Sequence, residues 1–112
     1  MAELKEITDQ NYEKEVIQSE DIWCVTFSAL SFCQPCKMLH PVIENIAKNE
    51  KVPGVKFGTV ATEDKGLNWS TSMQIKGVPT THVMKKGQIL GTIVGFVPEE
   101  QFIAKVKEAA KI

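Results

Sequence analysis

Two cysteines three positions apart, in Phe32-Cys33-Gln34-Pro35-Cys36-Lys37, are the side chains of this chain best suited to chemistry. If a helix opens there, both thiols lie on the same side of its first turn. They can then close a small disulfide ring and open it again while the rest of the fold stays put. The unpaired amides and positive dipole of a helix start stabilise a thiolate on Cys33, which lowers its pKa towards ambient pH. Pro35 suits an early helical position because it has no amide proton to leave unpaired. The tetrapeptide therefore reads as a nucleophile, Cys33, with a resolving thiol, Cys36, behind it. The same spacing is also half of a zinc site, and spacing alone leaves both chemistries open.

The elements around the pair support a helix start at that point. Ile22 to Ser28 is a strand with apolar residues on both faces, so it is expected at the centre of a sheet, parallel to a neighbour. From Cys33 a long helix is predicted to about Asn49, with Leu39, Val42, Ile43 and Ile46 as its apolar stripe. Elsewhere the pattern predicts a short strand over Leu4 to Ile7 and a helix capped by Thr8 or Asp9 and running to about Gln18. A strand over Val55 to Ala61 and a short helix over Lys65 to Met73 follow. Thr80 to Lys85 and Ile89 to Val94 form a hairpin closed by Lys86-Gly87. Pro98, Glu99 and Glu100 open a last helix, striped with Phe102, Ile103, Val106 and Ala110. Strands and helices alternate through the first half, the pattern of a parallel α/β unit. The cysteine pair falls at the carboxyl end of the central strand, where open α/β sheets build their sites.

Composition narrows the function classes. At 112 residues with 43% hydrophobic and 24% charged side chains, residues 1–112 read as one globular domain. The net charge of -1 comes with Lys and Glu spread along the chain, so no basic stripe invites nucleic acid. No apolar run reaches the length of a membrane span, and residues 1–8 lack the apolar block of a signal peptide. A cytoplasmic location is expected, where a cysteine pair is more often redox-active or metal-binding than a structural staple. The third cysteine, Cys24, lies in the apolar strand and reads as a core residue. His40, one turn beyond Cys36, reads as a partly exposed surface residue, His82, in the hairpin, as structural, and Trp23 and Trp69 as packing residues. Met38, Met73 and Met84 read as core filler.

A second motif, Gly77-Val78-Pro79-Thr80, precedes the hairpin. With the Cys33–Cys36 segment, Pro41, Lys86-Gly87 and Val94-Gly95, it makes nearly the whole chain resemble thioredoxin. The resemblance implies a thioredoxin fold: a central mixed sheet of four to five strands flanked by helices. It also implies a cis peptide before Pro79, beside the cysteines, whereas proline statistics alone favour trans. The implied activity is reduction of protein disulfides, with Cys33 as nucleophile and Cys36 as resolving thiol. Phe32, Gln34, Pro35, Val78, Pro79, Gly95 and Phe96 would line the surface that receives the partner. No dissociable cofactor and no metal are implied; the partners are disulfide-containing proteins and a thioredoxin-reductase-like electron donor, and the chain is expected to work as a monomer.

Several residues depart from that family's pattern. Gln34 replaces the usual Gly between the cysteines, and Phe32 replaces the usual Trp. Thr26 stands where thioredoxins bury an aspartate, and Phe57-Gly58-Thr59-Val60 lacks the lysine that accompanies it. The segment Ser28-Ala29-Leu30-Ser31 carries one residue more than usual. These changes admit two alternatives: an exchange or isomerase factor with a less reducing potential, and a binding module that has kept the fold and lost turnover.

Overall fold

The computed structural model describes residues 4–63 and 65–112. The strand expected over Leu4 to Ile7 spans Leu4–Glu6 (β1); of the N-terminal stretch compared with a signal peptide, residues 1–3 lie outside the described residues. The remaining strands are β2 (Ile22–Ser28), β3 (Val55–Ala61), β4 (Thr80–Lys85) and β5 (Gln88–Val94), and the α-helices are α1 (Gln34–Lys48), α2 (Leu67–Ser72) and α3 (Glu99–Ala110). They form one five-stranded sheet in the order β1-β3-β2-β4-β5. β3 runs parallel to both β1 and β2, while β4 is antiparallel to β2 and to β5. β2 is central, as its two-faced apolar pattern requires. The β4–β5 hairpin turns on Lys86 and Gly87, both at positive φ (53° and 79°). Such a two-residue turn matches the twist of the flanking strands, and glycine adopts it without steric cost.

Alternation along the strands divides the core between two faces. Cys24, Phe57, Val83 and Ile93 point to one face and pack with Leu39, Ile43, Phe102 and Val106 of α1 and α3. Trp23, Val25, Phe27, Val60 and Met84 point to the other and pack with Ile7, Val16 and Trp69. On that second face Tyr12 stacks on Trp69 with ring centroids 4.7 Å apart. Trp23, Trp69 and His82 are all buried, consistent with packing roles. Met84 is also buried, but Met38 is half-exposed on α1 and does not serve as core filler.

The segment expected to be a helix from Thr8 or Asp9 to Gln18 differs. Only Glu13–Ile17 is helical, and it is wound as a π-helix, closed by the Gln18 amide bonding to the Glu13 carbonyl at 2.9 Å. Its first residue has no side-chain cap. Asp9 is engaged elsewhere, because its carboxylate accepts the amides of Asn68 (3.1 Å) and Trp69 (2.8 Å) at the start of α2. Of the two expected caps, Thr8 accepts the Gln10 amide through its hydroxyl at 3.2 Å, whereas Asp9 serves α2 and ties it to the segment after β1.

Candidate active site

β2 ends at Ser28, and the chain turns back through Ala29 before α1 begins. The amides of Phe32 and Cys33 both donate to the Ala29 carbonyl, at 3.3 and 2.9 Å. That turn leaves Cys33 as the residue capping α1 and puts Pro35 in its first turn. The Cys36 amide points at Cys33 Sγ, 3.2 Å away. It is an otherwise unpaired helix-start donor, placed where negative charge on Sγ would be stabilised. Cys33 and Cys36 are joined as a disulfide, with Cα atoms 5.2 Å apart. Such a ring fits within one helical turn, so α1 continues unbroken to Lys48 through Pro41.

The two sulfurs are not equivalent. Cys33 keeps 8% of its surface open, whereas Cys36 keeps 1% and lies against Ala29 within the fold. An incoming partner can reach Cys33 and is shielded from Cys36. Cys33 Sγ also lies 3.6 Å from the Val78 carbonyl oxygen, which brings the second motif against the first. The Val78–Pro79 peptide bond is cis. The Gly95 amide donates to the Pro79 carbonyl at 2.9 Å, and Gly95 takes a positive φ of 80° to leave β5 there. Pro79 is buried, and Val78 and Gly95 are partly exposed.

Around this centre Phe32 is 70% exposed, Phe96 is 37% exposed, and Gln34 and Pro35 are open to solvent. The structure thus collects on one surface the residues that the sequence had placed in three separate segments. It adds others that no local pattern singles out. An open cleft beside Val78 is lined by Phe32, Thr62, Leu67, Thr71 and Ile75, the last three from α2 and the turn after it. The 51% exposure of Leu67 on a short helix was the only available signal for that wall, and it is visible only in three dimensions.

Further back on β2, Thr26 is buried and its hydroxyl pairs with that of Thr81 on β4, 2.9 Å apart. The two residues are register partners across β2 and β4. Each satisfies the other, so this interior position carries a neutral hydrogen bond and no charge. Cys24, two residues earlier on the same face of β2, is fully buried, and desolvation pushes its thiol far above the ordinary range. Among the described residues, no cluster of three or more His, Cys, Asp or Glu side chains is placed to hold a metal ion.

Comparison with known proteins gives consistent results. The family model described as thioredoxin matches residues 3–108. A thioredoxin of Buchnera aphidicola subsp. Schizaphis graminum is 36% identical over 101 residues, covering 90% of this chain and 91% of the relative. Thioredoxin 2 of Chlorobaculum tepidum is 32% identical, with 92% of each chain covered. Among solved structures, the crystal structure of Malassezia sympodialis thioredoxin (Mala s 13) superposes with a TM-score of 0.82 at 27% identity. The match covers 97% of this chain and 93% of that one.

Proposed function

The chain belongs to the thioredoxin family and is a thiol–disulfide oxidoreductase; on that premise we propose that Cys33 is its nucleophile and Cys36 its resolving thiol. The observation that carries the assignment is the asymmetry of the pair. Cys33 is the less buried of the two residues and its sulfur faces a helix-start amide, while Cys36 is almost fully covered.

In the reduced protein, Cys33 thiolate attacks one sulfur of a substrate disulfide. The new Cys33–substrate bond forms as the substrate S–S bond breaks, and the departing substrate sulfur takes a proton from solvent. Cys36, having released its proton, then attacks Cys33 Sγ. The mixed disulfide breaks, the second substrate thiol leaves, and the Cys33–Cys36 disulfide seen here is formed. Two electrons have passed from the dithiol to the substrate. A thioredoxin-reductase-like donor returns two electrons to restore the dithiol. The sulfurs carry the electrons themselves, so no dissociable cofactor is called on.

Phe32, Gln34, Pro35, Val78, Pro79, Gly95 and Phe96 form the receiving surface in this reading. The exposed Phe32 and Phe96 supply apolar contact, and the Val78 backbone lies beside the reacting sulfur. Thr26, standing where the family buries an aspartate, brings no carboxylate, so the Cys36 proton leaves to solvent or to the departing thiolate. The protein acts as a monomer in this reading. A free buried Cys24 and the absence of a basic stripe support work in a reducing compartment such as the cytoplasm, on proteins rather than nucleic acid.

A trapping experiment tests the assignment. Cys36→Ser protein incubated with a disulfide-containing protein should accumulate a covalent adduct through Cys33, visible on a non-reducing gel and released by dithiothreitol. An adduct mapped instead to Cys24, or none at all, would refute it.

A further inference from the structure

We propose that Glu63 is a positioning residue for the exchange reaction: it clamps Ser31, and through Ser31 it sets where Phe32 and Cys33 meet a protein substrate. The proposal rests on the exchange chemistry above and deepens it. A single carboxylate oxygen of Glu63 accepts from both the hydroxyl and the amide of Ser31, the amide at 3.4 Å. The hydroxyl contact is a hydrogen bond to a carboxylate oxygen.

A second tie sits beside it. Thr62 donates its amide (2.9 Å) and its hydroxyl (3.2 Å) to the Ser28 carbonyl. The turn from β2 to α1 is therefore fastened to the segment after β3 at both of its ends, Ser28 to Thr62 and Ser31 to Glu63.

What the clamp controls follows from the next two residues. Phe32 is 70% exposed, so packing does little to hold its ring. Phenylalanine has no polar atom with which to anchor itself, so the anchor has to come from a neighbour. Ser31 is that neighbour, and it immediately precedes the aromatic wall and the nucleophile. Thr62, adjoining Glu63, and Phe32 also line the same cleft beside Val78. Releasing Glu63 would loosen one wall of that cleft relative to the other. Because both clamp residues are exposed, the bond adds little to global stability, and its effect should show in docking rather than in folding.

The test compares a large and a small disulfide. Reduction of insulin requires docking against the Phe32 wall, whereas reduction of dithiobis-nitrobenzoate requires little beyond access to Cys33 Sγ. Glu63→Ala and Ser31→Ala should each lower kcat/KM for insulin by about fivefold, the size expected for loss of one ordinary hydrogen bond. Turnover of the small disulfide should stay within about twofold of the unmodified protein, well under a tenfold step. Glu63→Gln should retain most of the insulin activity, because its amide oxygen still accepts both bonds. The Glu63→Ala/Ser31→Ala double variant should be no slower than either single one, since the two residues share one interaction.

Unchanged insulin reduction by Glu63→Ala would overturn the proposal. So would an equal loss in Glu63→Gln, which would point to charge rather than to the clamp, or additive losses in the double variant. A wild-type protein inert towards both disulfides would overturn the exchange chemistry itself, and the clamp with it.

Discussion

Cys24 and Cys33 have the same side chain and sit close together in the chain, yet the fold gives them opposite chemistry. Cys24 lies in the interior of the sheet, fully buried, with its thiol pushed upward by desolvation and no cation nearby to favour the anion. Cys33 lies where β2 hands over to α1, partly open, with a helix-start amide aimed at its sulfur. The contrast extends beyond the two thiols. His82, on the other face of the sheet, is held below the ordinary histidine range by desolvation, and its buried Nδ1 has no hydrogen-bond partner. Thr26 and Thr81 meet as a neutral pair. Among the described residues the sheet interior holds no charged side chain, whereas the end of the central strand presents a helix-start amide to a sulfur. Reactivity here comes from position in the fold rather than from residue type.

Replacing the reactive residue should have the largest effect. Cys33→Ser should abolish disulfide reduction, a loss on the order of a thousandfold or more as for removal of an essential nucleophile, measured as insulin reduction with a dithiothreitol-driven assay. Near-normal turnover would erase the distinction between the two regions. A sharper test puts charge into the interior. Thr26→Asp leaves a buried carboxylate without a cation, and should cost about 3 kcal/mol of stability at neutral pH. Burial raises that carboxyl's folded pKa above its unfolded value, so the penalty should shrink as pH falls and the group protonates. Urea denaturation at two pH values reads both the size and the sign.

Removing the inert thiol should matter less. Cys24→Ala should cost about 1–2 kcal/mol through a small cavity, while turnover stays within about twofold, much less than one tenfold step. A tenfold loss of activity would mean that Cys24 takes part in the chemistry. The smallest effect belongs to His82. Its folded pKa lies below its unfolded one, so its contribution to stability is fully present above the ordinary histidine value of about 6.5. That contribution is lost as pH falls, because the unfolded chain takes up the proton first. His82→Leu should flatten the thermal-stability profile on the acid side, and an unchanged profile would show that His82 does not titrate on unfolding.

Much of this was legible in the sequence because it is local. β2, β3 and β4 were read with their observed boundaries, since strand alternation and bounding turn residues lie within a few positions of one another. The Cys33–Cys36 pair and the Val78–Pro79 motif were legible as residue types at fixed spacing. What stayed hidden depends on partners far along the chain. Thr26 was recognised as the residue in the place of a buried acid, but its bond to Thr81 joins residues 55 apart. Asp9 looked like the cap of the helix that follows it, and caps α2 instead, 60 residues on. Glu63 carried no local signal, and its role appears only when the turn holding Ser31 is folded against it. Local pattern recorded which residues could react; long-range hydrogen bonds decide how they are held.

The most direct test is a redox titration of the wild-type protein across graded dithiothreitol buffers, with each cysteine's state read by alkylation and mass spectrometry. The account predicts one reversible two-electron couple confined to Cys33 and Cys36, near -270 mV or below, as for a reductant of this class. Cys24 should stay unlabelled in the folded protein at every potential. A pair that fails to titrate reversibly, or label appearing on Cys24 alongside Cys33, would contradict it.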